Sequence, residues 1–253
     1  MTSLQALLFD VDGTLADTER DGHRVAFNRA FAEAGLDWEW SVDLYGKLLT
    51  VTGGKERICF YLDSYKPCFR PPVPLGEFVA GLHKAKTRIY TEMLAQGRIP
   101  LRPGVKRLIE EARAAGLRLA VATTTTPENV TALLRHALHP EAPTWFEVIA
   151  AGDIVPAKKP APDIYLWAME KLGLPCAACI AFEDSGNGIR ASLGAGLKTI
   201  ISTSSYTVDE DFTGACLVVD HWGEPNQPFK VRQGEAGEAR FLDLALVRRL
   251  HGA

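Results

Sequence analysis

No apolar run in this chain approaches the roughly 18 residues that a membrane span requires, and the N-terminus lacks a basic segment followed by an apolar signal core. A cytoplasmic protein without a membrane partner is expected. Neither charge is in excess: 28 Lys and Arg stand against 31 Asp and Glu, a formal net charge of -3, with no long basic block. A polyanion would find no electrostatic footprint here, which argues against nucleic acid as a partner. Cysteine is sparse. Cys59, Cys68, Cys176, Cys179 and Cys216 are odd in number and scattered through a chain too long to depend on disulfides, so reduced thiols are expected. Cys176 and Cys179 have half a zinc site's spacing, but no second close pair completes a tetrad. Internal repeats and low-complexity tracts are absent as well.

What is present is globular composition, 47% apolar and 23% charged, over 253 residues, enough for one large or two unequal domains. After a first apolar strand at Leu7 to Phe9 the pattern turns helical, with candidate helices at Glu19 to Ala34, Val42 to Leu49, Lys55 to Tyr65 and Leu75 to Ala95. Thr52-Gly53-Gly54 and the proline cluster Pro67 to Pro74 break them. This insertion is the expected second domain. From about Leu101 helices and apolar strands alternate, with strands at Leu117 to Ala122, Val148 to Ala151, Cys179 to Phe182, Thr199 to Ile201 and Leu217 to Val219. Such alternation implies an α/β fold with a doubly wound parallel sheet, whose ligands bind at the carboxyl ends of the strands. The polar stretch from Asp220 to Gly237 reads as a surface loop before a last helix at Phe241 to Leu250.

The chemistry-bearing residues fall at those strand ends. Asp10 and Asp12 close the first strand two residues apart, so both carboxylates share a face and need a compensating cation, for which a hard divalent ion suits oxygen ligands. Four threonines, Thr123 to Thr126, follow the second strand at a helix start, where hydroxyls and N–H groups suit phosphate oxygens. Lys158 and Lys159 precede Pro160, and Glu183 and Asp184 close a further strand. Four acids, a lysine and a hydroxyl then converge on one sheet edge.

In this order and spacing the segments Asp10-x-Asp12-x-Thr14, Thr123, Lys159-Pro160 and Glu183-Asp184 resemble all four motifs of the haloacid-dehalogenase (HAD) superfamily. The resemblance spans Asp10 to about Gly196. It implies a HAD-like core of residues 1–16 and 97–253 with a small helical cap, residues 17–96, inserted after the first strand. It further implies Asp10 as the nucleophile that forms an aspartyl-phosphate and Asp12 as general acid and base. Thr123 and Lys159 would hold the transferring phosphoryl group. Mg2+ would sit on the carboxylates of Asp10 and Asp184 and the main-chain carbonyl of Asp12, with Glu183 acting through an intervening water.

Within that superfamily the insertion is similar to the caps of β-phosphoglucomutase, phosphoglycolate phosphatase and above all the CbbY-type phosphatases. The last likeness rests on Asp37-Trp38-Glu39-Trp40, on Tyr45 with Leu48-Leu49, on Gly53 to Arg57, on His83 to Thr87 and on the threonine run before Pro127. CbbY-type enzymes remove phosphate from xylulose-1,5-bisphosphate, an inhibitor of the carboxylase of carbon fixation. The resemblance thus implies a small sugar (bis)phosphate partner and a monomer. Its candidate substrate-binding residues are Asp17, Tyr45, Gly53, Gly54, Lys55, Arg57, His83, Lys84, Lys86, Thr124 and Thr125. The four cap cations among them, Lys55, Arg57, Lys84 and Lys86, would meet a second phosphate. His23 stands one residue away from the cap histidine of β-phosphoglucomutase, which weakens the mutase alternative. A non-catalytic sugar-phosphate sensor is the other alternative, against which the intact Asp10, Asp12, Lys159 and Asp184 argue.

Overall fold

Alternate residues along each apolar strand serve two different apolar layers, and that division organises the molecule. The computed structural model describes residues 3–252, so residues 1, 2 and 253 of the expected core lie outside it. Strands β1 (Ala6–Phe9), β2 (Arg118–Thr123), β3 (Val148–Ala151), β4 (Cys179–Glu183), β5 (Lys198–Ser202), β6 (Leu217–Val219) and β7 (Val231–Gly234) make one sheet in the order β3-β2-β1-β4-β5-β6-β7. Leu7, Phe9, Leu119, Val121, Ile180 and Phe182 face one layer, filled by α5 (Val105–Ala114) and α9 (Leu244–Gly252). Ala6, Leu8, Ala120, Ala122, Cys179 and Ala181 face the other, filled by α7 (Asp163–Leu172) and α8 (Gly186–Gly194). Covering both faces removes any polar alternation, the pattern of a buried parallel sheet.

The first six strands are parallel and in register: Phe9 lies level with Val121 on one side and Phe182 on the other. The residues that follow therefore emerge together at one edge. The sheet departs from the sequence expectation at β7, which pairs antiparallel with β6 inside the stretch read as a surface loop. All four β7 residues are exposed. An edge strand held by backbone hydrogen bonds alone carries no hydrophobic period to read.

The insertion between β1 and β2 comprises a π-helical turn (Glu19–His23), α1 (Arg24–Glu33), α2 (Val42–Leu48), α3 (Gly54–Tyr65) and α4 (Leu75–Ala95). Ser41 starts α2 by accepting a hydrogen bond from Leu44 N (3.2 Å). These helices enclose their own aromatic cluster, in which Trp40 packs against Phe27 (4.7 Å), Phe31 (4.9 Å) and Tyr61 (5.4 Å between centroids). Ala26, Ala30, Ile89, Tyr90, Met93 and Leu94 instead join the layer beneath the sheet. The helical unit has a core of its own and is also docked on the sheet. Among the described residues no helix is long and apolar enough to cross a membrane. All five cysteines are free thiols.

Candidate active site

The chain winds outward from β1 through β2 and β3 on one side and through β4 to β7 on the other, so a crevice opens at the carboxyl ends of β1 and β4. Asp10 directly follows β1, Glu183 ends β4 with Asp184 behind it, Thr123 ends β2, and Lys159 arrives on the loop after β3. All five are buried. The Lys159 ammonium donates to Asp10 Oδ1 (2.7 Å), Glu183 Oε1 (2.6 Å) and the Ala122 carbonyl (2.9 Å). Burial alone would lower the Lys159 pKa, but Asp10 and Glu183 outweigh it and hold the ammonium above the usual lysine range.

Two glycines make room for the acids. A Cβ on Gly13, whose φ is +87°, would lie 2.0 Å from Asp184 Oδ2, and one on Gly188 would lie 1.9 Å from Glu183 Oε2. One oxygen from each of Asp10, Glu183 and Asp184 lies within 4.8 Å of the others. Burial raises the Asp10 pKa to about 7 against the pull of Lys159, with Glu183 and Asp12 adding to the rise. Burial followed by Asp10 and Glu183 carries Asp184 well above the carboxylate range. Buried, mutually repelling oxygen donors with a single lysine among them fit a hard divalent cation such as Mg2+.

Asp12 is placed differently. Thr18 Oγ1 (2.5 Å) and His23 Nε2 (2.8 Å) both donate to its Oδ1. Burial would raise its pKa, but His23, Thr18 and Lys86 together hold it below the ordinary carboxylate value. His23 reaches Asp12 because the backbone makes a π-helical turn at Glu19–His23. A π turn takes one residue more than an α turn, so it absorbs the extra residue that displaces His23 in the sequence.

Two cavities meet at Asp12, Glu19, Arg57 and Thr124. The smaller, about 320 Å³, reaches Asp10, Thr123, Lys159 and Asp184. The larger, about 450 Å³, is lined by Gly53, Gly54, Lys55, Arg57, His83 and Lys86 from the helical unit and by Thr124, Thr125, Asp153 and Lys158 from the sheet side. Lys86 is buried with its ammonium over the rings of Phe27 (5.2 Å) and Tyr90 (5.1 Å). It has no hydrogen bond or ion pair among the described residues. Burial lowers its pKa to about 8. Burial, then Lys86 and Lys55, lowers His83 to about 3, so its imidazole is neutral near pH 7.

Lys55 is already matched, since it donates to Asp153, which also lies 2.9 Å from Lys158 Nζ. Lys158 in turn donates to Glu56 Oε1 (2.7 Å). These pairs bridge α3 and the loop after β3, and Lys158 lines the larger cavity. Three of the expected substrate contacts lie elsewhere. Asp17 and Lys84 are exposed and line neither cavity. Glu19, which sequence reasoning missed, is the acid that lines both cavities beside Asp12. Tyr45 is fully buried behind the wall, donating to Glu19 Oε2 (2.5 Å) and accepting from Arg57 Nη1 (2.9 Å). It orients those two side chains from outside the cavities.

Comparison with known proteins gives the chain a family. The haloacid dehalogenase-like hydrolase family model matches residues 4–196. The chain is 47% identical over 248 residues to the protein CbbY (plasmid) of Cupriavidus necator, covering 98% of this chain and 97% of that one. It is 52% identical over 212 residues to CbbY of Rhodobacter capsulatus, covering 84% and 91%. A crystal structure of a CbbY variant from Rhodobacter sphaeroides in complex with xylulose-(1,5)bisphosphate superposes with a TM-score of 0.81 at 50% identity, covering 87% of this chain and 96% of the other. The order of the motifs, the reversed strand winding that gathers them and these matches together make the chain a haloacid dehalogenase-like hydrolase, a phosphatase of the CbbY branch.

Proposed function

We propose that the protein is a Mg2+-dependent phosphatase of sugar bisphosphates, with xylulose-1,5-bisphosphate as substrate, and that it acts through an aspartyl-phosphate on Asp10. One observation carries the reading: a single site holds the Asp10–Lys159 pair at one end and, at the other, the buried Lys86 ammonium, which has no hydrogen bond or ion pair among the described residues. Asp12 and Glu19 offset the burial of that ammonium only in part, and a ligand phosphate would complete the compensation. The ligand of the CbbY complex carries two phosphates, one for each end.

Asp10 attacks phosphorus as the bond from phosphorus to the sugar oxygen breaks, and Asp12 gives that oxygen its proton. Water then attacks the aspartyl-phosphate while Asp12 takes up the water's proton, releasing inorganic phosphate and restoring Asp10. Thr18 and His23 both bind Asp12 Oδ1, which leaves Oδ2 to exchange the proton. The pKa of Asp12 is low in the unliganded protein, and an arriving phosphoryl dianion raises it, as a proton donor requires. Asp10, Asp184 and the Asp12 main chain would hold Mg2+, whose charge lets an anionic nucleophile approach an anionic phosphate. Lys159 and Thr123 hold phosphoryl oxygens, and neutral His83 faces the sugar. The cytoplasm is the proposed location.

His23 docked on Asp12 supports a second reading, a sugar-phosphate mutase that uses the same core. Phosphate release from xylulose-1,5-bisphosphate and from hexose phosphates, measured with Mg2+ and with chelator while products are followed by NMR, separates the readings. Stoichiometric phosphate without isomerised sugar phosphate is expected. An isomeric product without phosphate establishes the mutase, and binding without turnover establishes a sensor.

A further inference from the structure

Each of the three protons of the Lys159 ammonium is already committed, to Asp10, to Glu183 and to the Ala122 carbonyl. A phosphoryl oxygen can gain Lys159 only if one of these bonds is given up. Glu183 Oε1 is the strongest competitor, because it is a carboxylate and its residue is 1% exposed. It does not hold Lys159 alone. The Tyr165 hydroxyl donates to the same oxygen at 2.5 Å, while Glu183 Oε2 is closed in by the Gly188 backbone and by Asp184 N at 3.3 Å. Tyr165 sits on α7 with its ring fully buried in the apolar layer that α7 and α8 fill, 5.1 Å from the Lys159 ammonium.

We propose that Tyr165 is a positioning residue for phosphoryl transfer, its hydroxyl sharing Glu183 Oε1 so that the carboxylate stays fixed and does not draw Lys159 off the nucleophile. Two donors on one oxygen divide its charge between them. Removing one leaves Lys159 as the sole donor, which tightens the Lys159–Glu183 pair and pulls the ammonium away from Asp10 and from the incoming phosphate. A phenylalanine would fill the same space in the apolar layer, so packing does not call for the hydroxyl. The inference rests on the reading of Asp10 and Lys159 as catalytic residues.

Tyr165→Phe tests it, because the ring and its packing stay. With Mg2+ present, kcat should fall about ten-fold on both xylulose-1,5-bisphosphate and acetyl phosphate, while KM for the bisphosphate stays within about two-fold. The equal effect on both substrates places the defect at the reacting phosphate. Tyr165→Phe with wild-type kcat, or with a loss confined to KM or to the folded fraction seen by thermal melting, overturns the proposal. Asp10→Asn and Lys159→Met run beside it separate the two levels. If those variants still turn over, the catalytic reading itself falls; if they are dead and Tyr165→Phe is fully active, only the role of Tyr165 falls.

Discussion

Lys86→Met should make the protein more stable and a worse bisphosphatase, two effects of opposite value from one substitution. Burial takes the lysine from 10.5 to about 8, which corresponds to a cost of roughly 3 kcal/mol for keeping it charged in the fold. Methionine has a similar length, suits the Phe27 and Tyr90 rings and needs no counter-ion. Replacing a buried charge that Asp12 and Glu19 offset only in part with a packed apolar group should therefore gain about 1 to 3 kcal/mol, or roughly 2 to 4 °C in Tm per kcal/mol for a chain of this size. Below about pH 8 the folded and unfolded states are both protonated at Lys86, and the cost is constant. Between about 8 and 10.5 the unfolded chain holds the proton that the folded one has lost, so wild-type stability gains from this group as pH rises. That gain should vanish in Lys86→Met.

The catalytic cost should be the loss of a charge-assisted contact to the far phosphate, about 1.5 to 3 kcal/mol or roughly ten- to a hundred-fold in kcat/KM on xylulose-1,5-bisphosphate. Acetyl phosphate has no second phosphate, and its hydrolysis should change little. Lys84→Met is the control, since Lys84 is exposed and lines neither cavity. Differential scanning fluorimetry from pH 7 to 10.5 and parallel kinetics on the two substrates decide the matter. A lower Tm for Lys86→Met, or equal slowing of both substrates, would refute the assignment of an unpaired ammonium waiting for phosphate.

Asp10→Asn should abolish phosphate release without lowering Tm, because an amide cannot form the acyl phosphate yet relieves the crowding of acids around Lys159; measurable turnover by the folded variant would remove Asp10 as nucleophile. Mg2+ should raise the Tm of the wild-type protein by binding the folded acid cluster only, and Asp184→Ala should lose most of that rise and need at least about ten-fold more Mg2+ for half-maximal activity. Identical metal titrations for the two proteins would count against Asp184 as a ligand.

Strand-end chemistry was open to reading in the sequence because a parallel sheet leaves local marks: apolar runs with Asp10, Thr123 or Glu183 where they stop, and glycine or proline where the helices begin. The helix at Leu75–Ala95 and the strands at Val148–Ala151 and Leu217–Val219 have the bounds expected from periodicity alone. Strand β7 left no mark, since its side chains are all exposed and only backbone pairing defines it. The same limit applies in the helical unit, where the composition names many cations and acids without showing which face inward.

The sequence by itself determined the order of the motifs, the Asp10–Asp12 pair at the end of the first strand and the inserted helical unit, since each of these is local in the chain. Tertiary structure alone decided that Glu19 rather than Asp17 lines the cavity, that His23 reaches Asp12, that Lys55 is neutralised by Asp153 and that Lys86 has no hydrogen bond or ion pair among the described residues. The second depends on a π turn that adds one residue to the helical period, and the others on how segments distant in the chain are brought together. Neither a shift of period nor a distant counter-ion is encoded in the residues immediately around the site.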